Sequence, residues 1–96
     1  PGPETVTALR GNFPNPFNPS TTVEYFLAGD SEVRLSVYNL RGQRIRQLDD
    51  GMRAAGTHYV SWDGRDAEGD PVGSGVYFFR LETGGDTHLR KGILMK

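Results

Sequence analysis

From Thr21 onward, apolar and polar residues alternate with a period of two, and no window carries the three-to-four spacing of an amphipathic helix. That pattern restricts the chain to strands. Val23, Tyr25 and Leu27 share one side of the first clear run, with Thr22, Glu24 and Phe26 opposite. Val33, Leu35 and Val37 form the inward side of the next, with Arg34, Ser36 and Tyr38 outward. Gln43 to Leu48 reads as the returning strand of a hairpin closed by Asn39-Leu40-Arg41-Gly42. Asp49-Asp50-Gly51 and Ala54-Ala55-Gly56 then bracket an expected loop. His58, Val60 and Trp62 share a side of the following strand, against Tyr59 and Ser61. In the strongest β run, Tyr77, Phe79 and Leu81 alternate with Val76, Phe78 and Arg80. Gly84-Gly85-Asp86 marks a hairpin turn into a last strand, His88 to Met95. A weaker strand within Thr5 to Arg10 brings the number to about seven. Short strands with turn signals every ~8–12 residues predict an all-β sandwich of the immunoglobulin-like or fibronectin III-like kind.

Ahead of these strands stands Phe13-Pro14-Asn15-Pro16-Phe17-Asn18-Pro19-Ser20-Thr21. Proline lacks an N–H and restricts the residue before it, so this stretch cannot be helical. Its two phenylalanines give it something to pin to a core. Phe13 or Phe17, and by preference both, is expected to be mostly buried against the sandwich.

At 96 residues the chain is expected to hold one domain. A domain of this size buries only ~60–65% of the surface its chain can expose, so its aromatic residues must supply much of the core. Trp62, which shares a side with Val60, is the natural filler between two sheets; its alternative role is sugar stacking. With no cysteine, disulfides, thiolate catalysis and Cys-based zinc sites are excluded. Eleven basic and twelve acidic residues lack the positive footprint of a nucleic-acid binder. No stretch is apolar over the ~18 residues of a membrane span. The start, Pro1-Gly2-Pro3-Glu4, reads as a cut from a longer protein. Residues 1–8 are expected to be a linker or expression remnant with a possible first strand, and residues 9–96 the domain.

Three constellations invite functional readings. Asp66, Glu68 and Asp70 alternate as the first ligands of a calcium loop do, but Tyr77 stands where a bidentate Glu would close the site. Arg65 adds an opposing charge, and Asx turns account for the acids more simply. Metal binding is therefore not expected, and neither is any cofactor. Phe26, Tyr38, Tyr59 and Phe78 fall on outward positions and would form a contact patch if three were neighbours. Arg41, Arg44, Arg46 and Arg53 cluster around one hairpin, as an anionic surface or a solvated, pairing-resistant edge would require. No catalytic set emerges: His58 and His88 lie on separate strands, and Gly73-Ser74-Gly75 lacks the spacing of a nucleophile elbow.

Asn15-Pro16-Phe17-Asn18-Pro19-Ser20-Thr21 resembles the opening motif of C-terminal sorting domains, of the type A form, carried by proteins of the bacterial type IX secretion system. It is also similar to the immunoglobulin-like domain of flagellar hook-capping proteins. The resemblance continues in order through Val37-Tyr38-Asn39-Leu40-Arg41-Gly42-Gln43, Gly56-Thr57-His58, Trp62-Asp63-Gly64-Arg65-Asp66, Gly75-Val76-Tyr77-Phe78 and Lys91-Gly92-Ile93-Leu94-Met95-Lys96. It spans roughly residues 9 to 96.

The resemblance implies a seven-stranded sandwich and a non-catalytic module for sorting and cell-surface anchoring. The implied partner is secretion machinery at the outer membrane, together with the module's own upstream catalytic or adhesive domain. The implied location is secreted or at the outer-membrane surface, reached through the periplasm. Lys91, Gly92 and Lys96 are the expected recognition residues, and Asn15, Pro16, Phe17, Asn18 and Pro19 the scaffold. The alternative is an immunoglobulin-like spacer or carbohydrate-binding accessory module of a secreted enzyme. In the last strand Leu89, Ile93 and Met95 are expected to face the core, with Lys91 reaching the rim from the same side and Lys96 exposed.

Overall fold

The computed structural model describes residues 6–96, which form seven strands and no helix. These are β1 (Ala8–Phe13), β2 (Thr21–Leu27), β3 (Ser31–Tyr38), β4 (Arg44–Arg53), β5 (Gly56–Trp62), β6 (Gly75–Glu82) and β7 (Thr87–Leu94). One sheet has the order β1-β2-β5 and the other β4-β3-β6-β7, with antiparallel pairing throughout. This is the immunoglobulin-like sandwich that the alternation predicts. No helix of the described residues is long and apolar enough to cross a membrane.

The core follows from side-chain parity. Val23, Tyr25 and Leu27 of β2 face Val33, Leu35 and Val37 of β3 and Tyr77, Phe79 and Leu81 of β6, and all nine are buried. Trp62 lies between the sheets at 0% exposure, with ring centroids 5.4 Å from Tyr77 and 6.0 Å from Phe79. Its indole N–H donates to the Arg65 carbonyl at 2.8 Å, so burial leaves the ring's polar handle satisfied.

Several expectations need correction. The weak first strand runs Ala8–Phe13 rather than within Thr5 to Arg10; Thr5 itself lies outside the described residues. β4 does not stop at Leu48 but runs through Asp49-Asp50-Gly51 to Arg53, because Asp49 finds partners that hold it in the sheet. Ser36 sits on the outward side of β3 yet is fully buried.

The largest correction concerns β7. Gly92 and Leu94 face inward, and Leu89 and Met95 are more than half exposed. The hydrophobic count favoured the other parity because the inward side includes a glycine. A Cβ at Gly92 would lie 2.7 Å from Phe79 Cε2 and 3.1 Å from Asn12 Nδ2, so only a residue without a side chain lets β7 close on the core here. Lys91 therefore projects from the outer face, opposite Phe78, and not from the core side.

Candidate functional site

The proline-rich lead-in is packed as expected, but by one ring rather than two. Phe17 is 2% exposed and meets Trp62 with ring centroids 5.7 Å apart, while Phe13 is 59% exposed. Phe13 ends β1 with its side chain directed outward, so the anchoring falls to Phe17 alone.

Around Phe17 the backbone completes the attachment. Phe17 N–H donates to the Ile93 carbonyl at 2.9 Å, and Met95 N–H donates to the Phe17 carbonyl at 2.9 Å. The Asn15 side chain extends the pairing, its Oδ1 accepting from Ile93 N–H at 2.9 Å and its Nδ2 donating to the Lys91 carbonyl at 3.5 Å. Asn15 thus imitates a strand residue where proline neighbours cannot donate. A short parallel bridge, Phe17 to Leu94, results. The Phe13–Pro14, Asn15–Pro16 and Asn18–Pro19 peptide bonds are cis. Behind the clamp, Thr21 Oγ1 donates to the Pro14 carbonyl at 2.8 Å and accepts from Asn12 Nδ2 at 3.1 Å. At its far end the Pro19 carbonyl abuts Gly64, whose φ of 76° and lack of Cβ permit the close approach.

The expected recognition residues separate into different roles. Lys91 and Lys96 are exposed, and Lys96 N–H donates to Ser74 Oγ at 2.9 Å. Gly92 is buried, so its place is in packing beneath Phe79 and Asn12. Asn15, Pro16, Asn18 and Pro19 are exposed around the buried Phe17.

The outward aromatics divide into pairs rather than one patch. Phe26 and Tyr59 lie outside the three-stranded sheet, with the Arg10 guanidinium 5.1 Å from the Phe26 ring centroid. Tyr38 and Phe78 are direct cross-strand partners on the other sheet, where the Arg80 guanidinium lies 5.6 Å from the Tyr38 ring centroid. The four arginines of the hairpin also part company: Arg46 pairs with Asp63 at 2.8 Å and Arg53 with Asp49, while Arg41 and Arg44 are exposed.

A polar clasp that the sequence did not reveal joins the sheets on the β4–β5 side. Tyr25 of β2 donates its hydroxyl to Asp49 Oδ2 of β4 at 2.7 Å, and Arg53 grips the same carboxylate. His58 stacks on Tyr25 with ring centroids 5.1 Å apart. Burial first, and then the Asp49 carboxylate, push the Tyr25 hydroxyl far above its ordinary range. Burial pushes Asp49 up, but the hydrogen bonds from Arg53 and Tyr25 and the Arg53 charge outweigh it and hold the carboxyl below its usual value.

The acidic loop gathers carboxylate oxygens of Asp66, Glu68 and Asp70 within 4.8 Å of one another. Asp66 Oδ1 already accepts from the Glu68 and Asp70 amides, each at 3.0 Å, which is the turn chemistry that acids at these positions ordinarily perform.

The family model for the FlgD Ig-like domain matches residues 18–86. The chain belongs to the FlgD Ig-like domain family. Its match runs from the end of the lead-in to the β6–β7 turn, so Asn15 to Phe17 and β7 lie outside it. No curated protein matches the chain. Among solved structures, it is similar to part of dimeric latent PorU from Porphyromonas gingivalis, with a TM-score of 0.75 and 22% identity over 94% of this chain. It is also similar to part of PorZ, described as an essential surface component of the type IX secretion system of that bacterium, with a TM-score of 0.63 and 19% identity over 88% of this chain. FlgD from P. aeruginosa gives a TM-score of 0.63 and 28% identity over 77% of this chain. The FlgD-like domain spans only 9%, 11% and 60% of those three chains, respectively.

Proposed function

We propose that this FlgD-like domain is a non-catalytic module, of the type A sorting form, that directs a secreted bacterial protein to the cell surface and helps retain it there. Its partner is secretion machinery at the outer membrane, reached by way of the periplasm. The module comprises β1 to β7, beginning at Ala8, and its own upstream catalytic or adhesive domain is a further partner. The observation that carries this reading is the clamp. Asn15 and Phe17 bind the Lys91–Met95 stretch directly, so two motifs nearly eighty positions apart become one local structure. Such a structure gives a receptor a rigid surface with exposed Lys91 and Lys96 beside it, and binding to it requires no bond to be made or broken. The fold likeness to regions of PorU and PorZ supports the same reading.

The test is a secreted reporter fused to residues 1–96 in a host with the type IX system. Deleting Lys91 to Lys96 removes Leu94 and the clamp's partners and should abolish both folding and export. Lys96→Ala and Lys91→Ala should keep the melting temperature and lower export, because both ammonium groups are exposed. Full export of the deletion variant would overturn the sorting role and leave a spacer or carbohydrate-binding accessory module as the reading to pursue.

A further inference from the structure

β7 is an edge strand whose edge is only half covered. Its register with β6 is unbroken from Thr87 to Leu94. Ile93 and Met95 turn backbone groups away from β6 to meet Asn15 and Phe17. By alternation, Leu89 and Lys91 turn theirs the same way. The lead-in takes up this edge from the Lys91 carbonyl to the Met95 N–H and ends there. The Lys91 N–H and both backbone groups of Leu89 have no partner among the described residues.

Beside this open stretch, β1 and β7 flank a groove of about 320 Å³. Arg10, Asn12, Phe13 and Arg90 help line it, and no carboxylate does so among the described residues. Arg90 donates through Nε to the Leu9 carbonyl at 2.8 Å, which fixes its guanidinium while its terminal nitrogens have no partner among the described residues. Lys91 has no ion-pair partner there either. An exposed edge with free backbone groups is a template for another strand, and the charges of Arg90 and Lys91 beside it attract an acidic strand and repel a basic one.

We infer that the Thr87–Lys91 edge receives an extended acidic segment of a partner protein as an added strand. Backbone groups of Leu89 and Lys91 would pair with it. Its side chains would alternate between the groove, where a carboxylate meets Arg90, and the outer face, where one meets Lys91 beside exposed Leu89. The inference deepens the recognition role proposed above. Binding is measured without export, so the failure of one does not entail the failure of the other.

The test titrates the isotope-labelled chain with an end-blocked hexapeptide of alternating valine and glutamate, and with its valine–lysine counterpart. The acidic peptide should shift the Leu89 and Lys91 amides and slow their hydrogen exchange, and the basic one should not. Lys91→Glu, at an exposed position, should weaken binding about tenfold or more. Leu89→Pro deletes the outward N–H and leaves the β6 ladder intact, so it should abolish binding at a nearly unchanged melting temperature. Undisturbed Leu89 and Lys91 amides, or equal binding of the two peptides, would overturn the inference. So would shifts confined to Tyr38, Leu40 and Phe78, which would place docking on the sheet's face instead.

Discussion

The sandwich is fastened at two places by different physics. On the β7 side, Phe17 fills an apolar site against Trp62 while neutral amides pair the backbone around it. On the β4–β5 side, Tyr25, Asp49 and Arg53 hold the sheets through a partly buried carboxylate. The first fastening depends on shape and apolar burial, the second on protonation state. The lead-in should therefore govern how stable the domain is, and the clasp over what range of pH it stays so.

The largest effect should follow Phe17→Ala. Emptying this site should cost ~3–5 kcal/mol, a large share of the ~5–15 kcal/mol that holds a small domain together. Chemical denaturation should show it, whereas Phe13→Ala, at an exposed ring, should change little. Equal losses for the two would mean that the lead-in is anchored at both ends after all.

Gly92→Ala should come next. The added methyl would press on Phe79 inside a filled core, where overpacking typically costs ~1–3 kcal/mol. A neutral result would show that β7 can move away from the core, which the clamp on its outer edge should prevent.

Acid should act on the other fastening. Asp49 is held below its ordinary range in the folded state, so its contribution is complete above ~pH 4 and disappears as pH falls through the folded value. Tyr25 is raised, so its contribution is complete below ~pH 10 and diminishes as pH rises beyond it. Asp49→Asn should flatten the acid limb of a melting-temperature profile. An unchanged limb would mean that other carboxylates set it. Phe17→Ala should lower the whole profile and keep its shape.

Asn15→Ala should cost only ~0.5–1.5 kcal/mol, since water can reach the Ile93 N–H it leaves behind. The smallest effect should belong to the acidic loop. A chelator should leave the melting temperature within about a degree, because a bound ion at 100 times its Kd would contribute ~2.7 kcal/mol and a larger shift. A clear drop on chelation would show that Asp66, Glu68 and Asp70 hold a cation.

The two fastenings also differ in how readable they were. The β2, β3 and β6 faces, and the place of Trp62 between the sheets, were legible because large apolar residues at every second position leave one solution. The anchoring of Phe17 was legible because an apolar ring among prolines has few other uses. The β7 faces were misread because Leu89, Ile93 and Met95 outnumber Leu94, and parity gives no weight to Gly92, whose value lies in what it lacks. The clasp was hidden for another reason. Asp49-Asp50-Gly51 carries the local chemistry of a turn, and the bond that ties Asp49 to the other sheet comes from Tyr25, 24 positions earlier. Contacts made at such distance in the chain leave no local trace. The open half of β7 was equally invisible, since a backbone group's lack of a partner is a property of the assembled edge.

The span of the clamp also orders events in time. Asn15 and Ile93 are 78 positions apart, and at ~5–20 residues per second their synthesis is separated by roughly 4–16 s. Throughout that interval Phe17 has no Leu94 to pair with, so the lead-in cannot yet join the edge of β7. Translation therefore works as a timer. The clamp cannot shut before Ile93 and Leu94 exist, so its shutting reports that β7 has been made.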